Sequence, residues 1–333
     1  MLQPHRSRRV QLPIVNFVLS MGIIILAFVF ISPDGRAQAE NGPLYNPKLP
    51  DFSTITISTT KIRDNVYMFM GGPGANIIAL VGPDGVLLVD AQYAELTQKI
   101  VEAIRRVTNA PIRFVINTHV HPDHVGGNEN FAKMGALIFG ADEVRSRLLH
   151  GVPDNLGFRL PAKPIEAPVV TYGGLVTIHI DDEDVELVRI PHAHTDGDTL
   201  VRFAVADLVM TGDTYWNASD HGYVSSTKDL SGSVKGIIAG LGVAIGMSGP
   251  NTKIIPSHGS VVDRASLIAQ RDILLAIWDR VQQLAKQGKS QEEVIAAHPT
   301  ADFDAQVVGG KQNADRLLRQ IYAEIKIELP ASR

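Results

Sequence analysis

The segment Thr118–Gly127, with the sequence THVHPDHVGG, places three histidines and one aspartate within six residues. It follows Ile112–Asn117, a run of β-branched and aromatic residues that predicts a strand. The cluster is therefore expected on a loop at the end of a strand, where a rigid scaffold presents functional side chains. A fold that contains it must bring a strand end to a buried polar site.

The spacing inside this cluster predicts ligands for two metal ions. His119 and His121 alternate along the chain, so both imidazoles can point the same way on extended backbone. Asp123 and His124 follow a proline turn and are expected to point elsewhere, toward a second ion. Zinc takes about four protein ligands, or about three plus water in a catalytic site, so further ligands must come from downstream.

Three downstream segments supply candidates for the missing ligands. They are His194 in PHAHTDGD, Asp213 in MTGDTYW and His258 in IIPSHGS, and each follows an apolar run. A single loop histidine is usually a surface or capping residue, but this ordered set is a specific signal. The chain contains no cysteine, which excludes disulfides, thiolate nucleophiles and cysteine-ligated metal sites.

Hydrophobic periodicity predicts short strands followed by helices, twice along the chain. The predicted strands are Thr54–Ser58, Val66–Met70, Asn76–Val81, Val86–Asp90, Ile112–Asn117, Val176–Ile180, Val185–Ile190, Leu200–Val205 and Leu208–Thr211. The predicted helices are Ala94–Thr108, Lys235–Met247, Arg264–Gln287, a short one capped by Ser290 and Glu293, and Ala314–Ile327. This order suggests two layered halves with facing sheets.

The motifs THVHPDHVGG, PHAHT, TGD and SHG resemble those of the metallo-β-lactamase-fold hydrolase superfamily, from about Asp64 to Ser260. The resemblance implies an α+β fold, an αββα sandwich of two similar halves. It also implies roles for eight residues: His119, His121 and His194 would hold the first metal, Asp123, His124 and His258 the second, Asp213 would bridge the two, and Asp90 in VLLVD would support the metal loop without binding metal.

The resemblance implies zinc as cofactor, two ions per chain, with iron and manganese left open. Two close ions lower the pKa of a shared water to about 7, giving a metal-bound hydroxide. Asp123 is the predicted catalytic residue, which orients this nucleophile and relays its proton. The expected substrate is a small ester, lactone, thioester or amide; the alternatives are dehalogenation of activated aromatics, phosphodiester or nucleic-acid hydrolysis, and non-enzymatic metal binding.

The residues that follow Asp213 form a candidate substrate pocket: Tyr215, Trp216, Asn217, His221 and Tyr223. An aromatic wall beside the metals would favour an apolar or aromatic substrate. The alternative is that these rings close the core under a long loop.

The N-terminus has the layout of an export signal over residues 1–39. Basic residues precede the apolar run Phe17–Ile31, and Ala37-Gln38-Ala39 offers a cleavage site. The mature body, 40–333, is then one metallo-β-lactamase-like domain in the periplasm or outside the cell; the alternative is an uncleaved membrane anchor. A net charge of −4 predicts no broad basic face for nucleic acid, so the expected partner is a small-molecule substrate, with membrane contact only through this N-terminal segment.

Overall fold

The computed structural model describes residues 51–72, 74–151, 162–226 and 230–328. The predicted export signal lies outside these residues. Within them, every helix is too short or too polar to cross a membrane.

Thirteen strands occur in the described part of the chain, together with nine α-helices and several short 3-10 turns. The strands are β1 Ser58–Lys61, β2 Val66–Met70, β3 Ile77–Gly82, β4 Gly85–Val89, β5 Ile112–Ile116, β6 Leu137–Ala141, β7 Val170–Tyr172, β8 Leu175–Ile180, β9 Glu183–Ile190, β10 Asp198–Phe203, β11 Leu208–Met210, β12 Lys253–Ile255 and β13 Val262–Asp263. The helices are α1 Thr97–Arg105, α2 Pro122–Val125, α3 Asn128–Lys133, α4 Asp142–His150, α5 Ala218–His221, α6 Val234–Gly246, α7 Arg264–Lys286, α8 Gln291–Ala296 and α9 Gly310–Glu328.

The strands form two mixed sheets. The first contains β1 to β7 in chain order, antiparallel from β1 to β4 and parallel from β4 to β7. The second has the order β13-β12-β11-β10-β9-β8, in which only β11 and β12 pair in parallel. Every residue of β4 is buried, as expected for a strand covered on both faces, whereas burial along β8 alternates.

Three apolar clusters show that the layers are helix, sheet, sheet and helix. One lies between the sheets and joins Leu87 of the first to Leu187 of the second. Another packs α1 and α3 on the outer face of the first sheet, with Ile100 at its centre. The last packs α6, α7 and α9 on the second sheet, around residues such as Ile277. The predicted α+β fold, an αββα sandwich, is confirmed.

The structure corrects one predicted strand. Thr54–Ser58 is not a strand, because Asp51 accepts a hydrogen bond from the Ser53 amide and starts a 3-10 turn at Phe52–Thr54. The backbone is extended from Ile55, but the paired strand begins only at Ser58. Strand β6 and helix α4 were not predicted, since Leu137–Ala141 is short and ends in Gly-Ala, residues with low strand preference.

Candidate metal centre

The seven predicted ligands converge at one end of the two facing sheets. They are carried by loops that follow β5, β9, β11 and β12: His119, His121, Asp123 and His124 after β5, His194 after β9, Asp213 after β11, and His258 after β12. Residues up to 140 positions apart therefore meet because four strands end at the same edge.

The first group of ligand atoms contains three imidazole nitrogens and one carboxylate oxygen. His121 Nδ1 lies 3.0 Å from His119 Nε2 and 3.1 Å from His194 Nε2. Asp213 Oδ2 lies 3.8 Å from His119 Nε2 and 3.4 Å from His194 Nε2. A tetrahedral zinc with Zn–N bonds of about 2.0–2.1 Å has neighbouring ligand atoms about 3.3 Å apart, so this spacing fits one ion.

The second group consists of Asp123, His124 and His258. Asp123 Oδ2 lies 3.5 Å from His124 Nε2 and 3.2 Å from His258 Nε2. Asp123 and His124 belong to α2, whose first residue is Pro122. The His124 ring lies beside that of His119, with 3.9 Å between centroids, so the two groups are adjacent. The structure groups Asp123 and His124 with His258, and their binding of a second ion stays a prediction.

Asp213 lies between the two groups. Its Oδ2 faces the first group, while its Oδ1 lies 3.8 Å from His124 Nε2 and 3.6 Å from His258 Nε2. The residue is 5% exposed, so both oxygens are withdrawn from bulk water. This is the arrangement expected of a bridging carboxylate.

Hydrogen bonds on the outer nitrogens fix which nitrogen of each ligand faces the site. Asp90, which is fully buried, accepts from His124 Nδ1 at 2.8 Å and from the amide and hydroxyl of Thr118 at 2.8 and 2.9 Å. The Ser225 carbonyl accepts from His194 Nδ1 at 2.7 Å. In both histidines Nε2 is therefore the nitrogen that would bind a metal, and in His124 the metal would displace a proton. Asp90 thus contacts the loop that the family resemblance expects it to support.

Burial and charge make the two groups electrostatically different. Burial lowers the pKa of His121 to about 3, and the neighbouring His194 lowers it further, so the His121 imidazole is neutral and able to bind a metal. Burial also opposes charge on His124, but the carboxylates of Asp123 and Asp90 outweigh it and raise its pKa well above the usual value. The second group thus attracts positive charge, which a divalent cation would supply.

Two buried polar atoms support the fit of the site to metal. His124 Nε2 and Asp213 Oδ1 have no hydrogen-bond partner among the described residues. Buried polar atoms are rarely left unpaired, and these two face each other across the second group. Imidazole and carboxylate donors suit zinc, and also iron and manganese.

A cleft of about 450 Å³ opens beside the second group. His258 forms part of its wall, together with the glycines of the loop between β2 and β3. The exposed ring of His221 stacks at a tilt on His258, with 5.6 Å between centroids. A larger cavity, of about 720 Å³, lies at the start of β2 and contains none of the candidate ligands.

The other predicted pocket residues are distributed differently. Trp216 approaches the first group, with its ring centroid 5.8 Å from that of His194. Tyr215 and Tyr223 are each 4% exposed and belong to the apolar cluster beneath α6 and α7, and Asn217 caps α5. The structure thus places His221 and Trp216 beside the metal ligands and the two tyrosines in the core.

Several supporting residues were not singled out from the sequence. Asn76 donates from Nδ2 to the carbonyls of Pro256 and Gly259, at 2.9 Å in each case, and so holds the loop of His258. Asn117 and Asn128 exchange hydrogen bonds beneath α2. Buried asparagines next to a predicted strand end were the available hint, because a buried amide needs specific partners.

Comparisons with known proteins agree with this site. A sequence model of the metallo-beta-lactamase superfamily matches residues 70–263. The metallo-beta-lactamase type 2 of Bacillus cereus is 22% identical over 274 residues, which cover 78% of this chain and 99% of that protein. Among solved structures, a metallo-beta-lactamase from Pontibacter korlensis has a TM-score of 0.55 at 18% identity, covering 66% of this chain and 99% of its own.

The sec-alkylsulfatase Pisa1 from Pseudomonas sp. has a TM-score of 0.61 at 18% identity, over 80% of this chain and 50% of its own. This chain thus spans about half of the alkylsulfatase but nearly the whole of the lactamase relatives. At these identities the solved structures establish the fold, and the sequence model covers more than half of the chain. Together with the converging histidines and aspartates, this shows that the chain belongs to the metallo-beta-lactamase superfamily and is a metal-dependent hydrolase.

Proposed function

We propose that this protein is an exported hydrolase that uses two zinc ions to cleave a small, uncharged carbonyl substrate: an ester, lactone, thioester or amide. The observation that carries the proposal is Asp213, whose two oxygens face two separate groups of ligand atoms. A carboxylate in this position can neutralise and space two divalent ions.

The ligands divide as the geometry groups them. His119, His121 and His194 would hold the first ion, Asp123, His124 and His258 the second, and Asp213 would contact both. When bound, such a pair of ions supplies Lewis acidity and brings the pKa of water close to neutrality.

Asp123 is the residue best placed to move a proton. Its side chain is 15% exposed, whereas that of Asp213 is 5% exposed, so Asp123 is the carboxylate that incoming water and substrate reach. We assign to it acceptance of the proton of the attacking water and return of that proton to the leaving group. The neighbouring ring of His221 would line the path of the leaving group.

The cleft favours an uncharged substrate. Its described lining consists of Thr56, Ser58, Met70, Gly71, Gly72, Gly74, Asn76, His221, His258 and Gly259, a set without lysine or arginine. Sulfate and phosphodiester groups are commonly bound by arginine or lysine, so this lining supports a carbonyl substrate over an alkyl sulfate or a phosphodiester. An activated aryl halide is also uncharged and is the second candidate.

Export is proposed from the sequence alone. The basic residues, the apolar run and Ala37-Gln38-Ala39 together support cleavage and release of the mature body from the cytoplasm. N-terminal sequencing of the protein recovered from the periplasm tests this, and a chain that keeps residues 1–39 would contradict it.

The substrate proposal is tested by turnover on a panel containing an aryl ester, a lactone, a thioester, an amide, an alkyl sulfate, a phosphodiester and a chlorinated aromatic. His121→Ala should abolish activity because it removes the ligand shared by the closest contacts of the first group. His179→Ala is the matched control, since that side chain is 75% exposed and pairs only with Asp184 among the interactions described. Turnover of the sulfate or phosphodiester alone would overturn the proposed substrate class.

A further inference from the structure

A short piece of backbone between β2 and β3, residues 74–76, forms part of the cleft beside the second group, and we name it the wall segment. Its glycine and its asparagine line the cleft, and Ala75 between them is fully buried. At one end, Asn76 holds the loop of His258 through its amide and its side chain. The other end is held by Gln92, a residue outside the cleft.

The side chain of Gln92 pairs with the wall segment. Gln92 is 2% exposed, and its Nε2 donates to the Ala75 carbonyl at 2.5 Å. Its Oε1 accepts from the Tyr93 amide at 3.3 Å, so both ends of the buried amide group are paired. Gly74 lies so close to this amide group that a Cβ at position 74 would collide with it. The glycine therefore leaves the room that the Gln92 side chain needs.

The backbone around Gln92 is tied to the loop that carries the candidate ligands. The Gln92 carbonyl accepts from the Gly127 amide at 2.8 Å, and the amide of Ala91 donates to the His124 carbonyl at 2.9 Å. Asp90, two residues before Gln92, pairs with the His124 ring. One short stretch of chain therefore holds both a candidate metal ligand and the wall of the cleft.

The conformation of Gln92 indicates that these contacts impose its position. Its φ is 55°, in the left-handed region, and Asp90 has a φ of 68°. Residues other than glycine, asparagine and aspartate seldom adopt this conformation, and such strain persists where the surrounding structure over-determines it, often at functional sites. The contacts of Gln92 with two different loops hold it in this conformation.

We propose that Gln92 is a positioning residue that fixes the width of the cleft beside His258. Gln92 is not among the described residues that line the cleft, so it acts through the wall segment. Because its side chain contacts the wall segment and its backbone contacts the metal loop, loss of the side chain should affect substrate binding and leave metal binding intact. The kinetic consequence rests on the proposed function, whereas the anchoring of the wall segment does not.

Hydrogen–deuterium exchange of the zinc-loaded mature chain tests the anchoring without turnover. Gln92→Met keeps the length of the side chain and removes the donor. We expect the amides of the wall segment to exchange about tenfold faster in this variant, because the segment loses a buried hydrogen bond, while the amides of α9 keep their rate. The matched control is Gln98→Met, an exposed position on α1 whose side chain pairs with Glu102, and it should change neither rate.

Gly74→Ala perturbs the same contact from the opposite side, because the added methyl group would displace the Gln92 amide. We expect the same local increase in exchange, so the test remains decisive if Gln92→Met folds poorly. Unchanged exchange of the wall segment, or faster exchange throughout the chain in both variants, would overturn the proposal.

Steady-state kinetics separate positioning from a general loss of structure. With a substrate of the panel that the unaltered chain turns over, Gln92→Met should raise KM about tenfold and leave kcat and both zinc affinities within twofold. An unchanged KM, or a loss of zinc affinity, would refute the role given to Gln92. If the unaltered chain turns over no substrate of the panel, the proposed function fails, and the exchange rates still decide whether Gln92 anchors the wall segment.

Discussion

Replacing Asp90 by asparagine is expected to weaken metal binding at the second group without removing a ligand. Asp90 Oδ2 accepts from both Thr118 Oγ1 and His124 Nδ1, while Oδ1 accepts from the Thr118 amide. In Asp90→Asn one oxygen becomes an amide that donates. If it replaces Oδ2, His124 must accept on Nδ1, and its proton moves to Nε2, the atom that faces the metal.

The magnitude follows from this change of tautomer. Loss of a hydrogen bond that orients a metal-bound histidine costs about 10–100-fold in metal affinity. Because each tenfold is about 1.4 kcal/mol, the expected loss is about 1.4–2.8 kcal/mol. The first group should change less, since Asp90 contacts His124 directly but reaches a first-group residue only through Thr118, whose Oγ1 lies 3.2 Å from His119 Nδ1.

The assay is a zinc titration of the metal-free chain against a competing chelator, which reports two binding constants. The matched control is Glu186→Gln, which removes a carboxylate from a partly exposed pair with Arg202, away from the site. We expect the weaker zinc constant to fall only in Asp90→Asn. Two zinc affinities within twofold of the unaltered chain would refute the role given to Asp90.

Further outcomes are expected elsewhere in the molecule. Gln320→Leu should weaken zinc binding at the first group, because Gln320 donates to the Ser226 carbonyl at 2.7 Å, next to the Ser225 carbonyl that pairs with His194. Arg319→Ala, on the same helix, should leave zinc binding unchanged. The zinc titration described above measures both variants. Leu187→Ala, in the fully buried layer between the sheets, should lower the free energy of unfolding in urea by about 2–5 kcal/mol. Excess chelator should lower the melting temperature, since a ligand present at 100 times its dissociation constant stabilises the native state by about 2.7 kcal/mol. The metal-free chain should lose stability as pH falls from 6.5 toward 3, because burial lowers the pKa of His121 to about 3 while the unfolded chain takes up a proton at this residue near pH 6.5. The urea midpoint of unfolding should therefore fall across this pH range. A midpoint that rises with acidity would contradict the prediction.

The candidate site was more predictable from the sequence than the fold around it. Candidate ligands such as His121 and Asp213 are polar residues that closely follow apolar strands, so a single local pattern marks both their chemistry and their position. The division into two groups was predicted from Pro122, which stands between His121 and Asp123 in the sequence. Their assignment to particular ions came from the family resemblance.

Features that depend on tertiary packing could not be predicted from such a local sequence pattern. Ser225 supports His194 through a backbone carbonyl, which any residue type could provide. Tyr215 and Trp216 are adjacent aromatic residues, yet Tyr215 packs in the core and Trp216 lies beside His194. The reason is that the backbone is extended at Tyr215, so successive side chains point to opposite sides. The predicted aromatic wall therefore depended on an orientation that the sequence does not encode locally.

We propose that this chain holds two metal ions in adjacent groups of candidate ligands bridged by Asp213. Native mass spectrometry of the mature chain, reconstituted with zinc and separated from free metal, counts those ions directly. We predict two zinc ions per chain. A count of one or none at saturating zinc would contradict the two-metal centre.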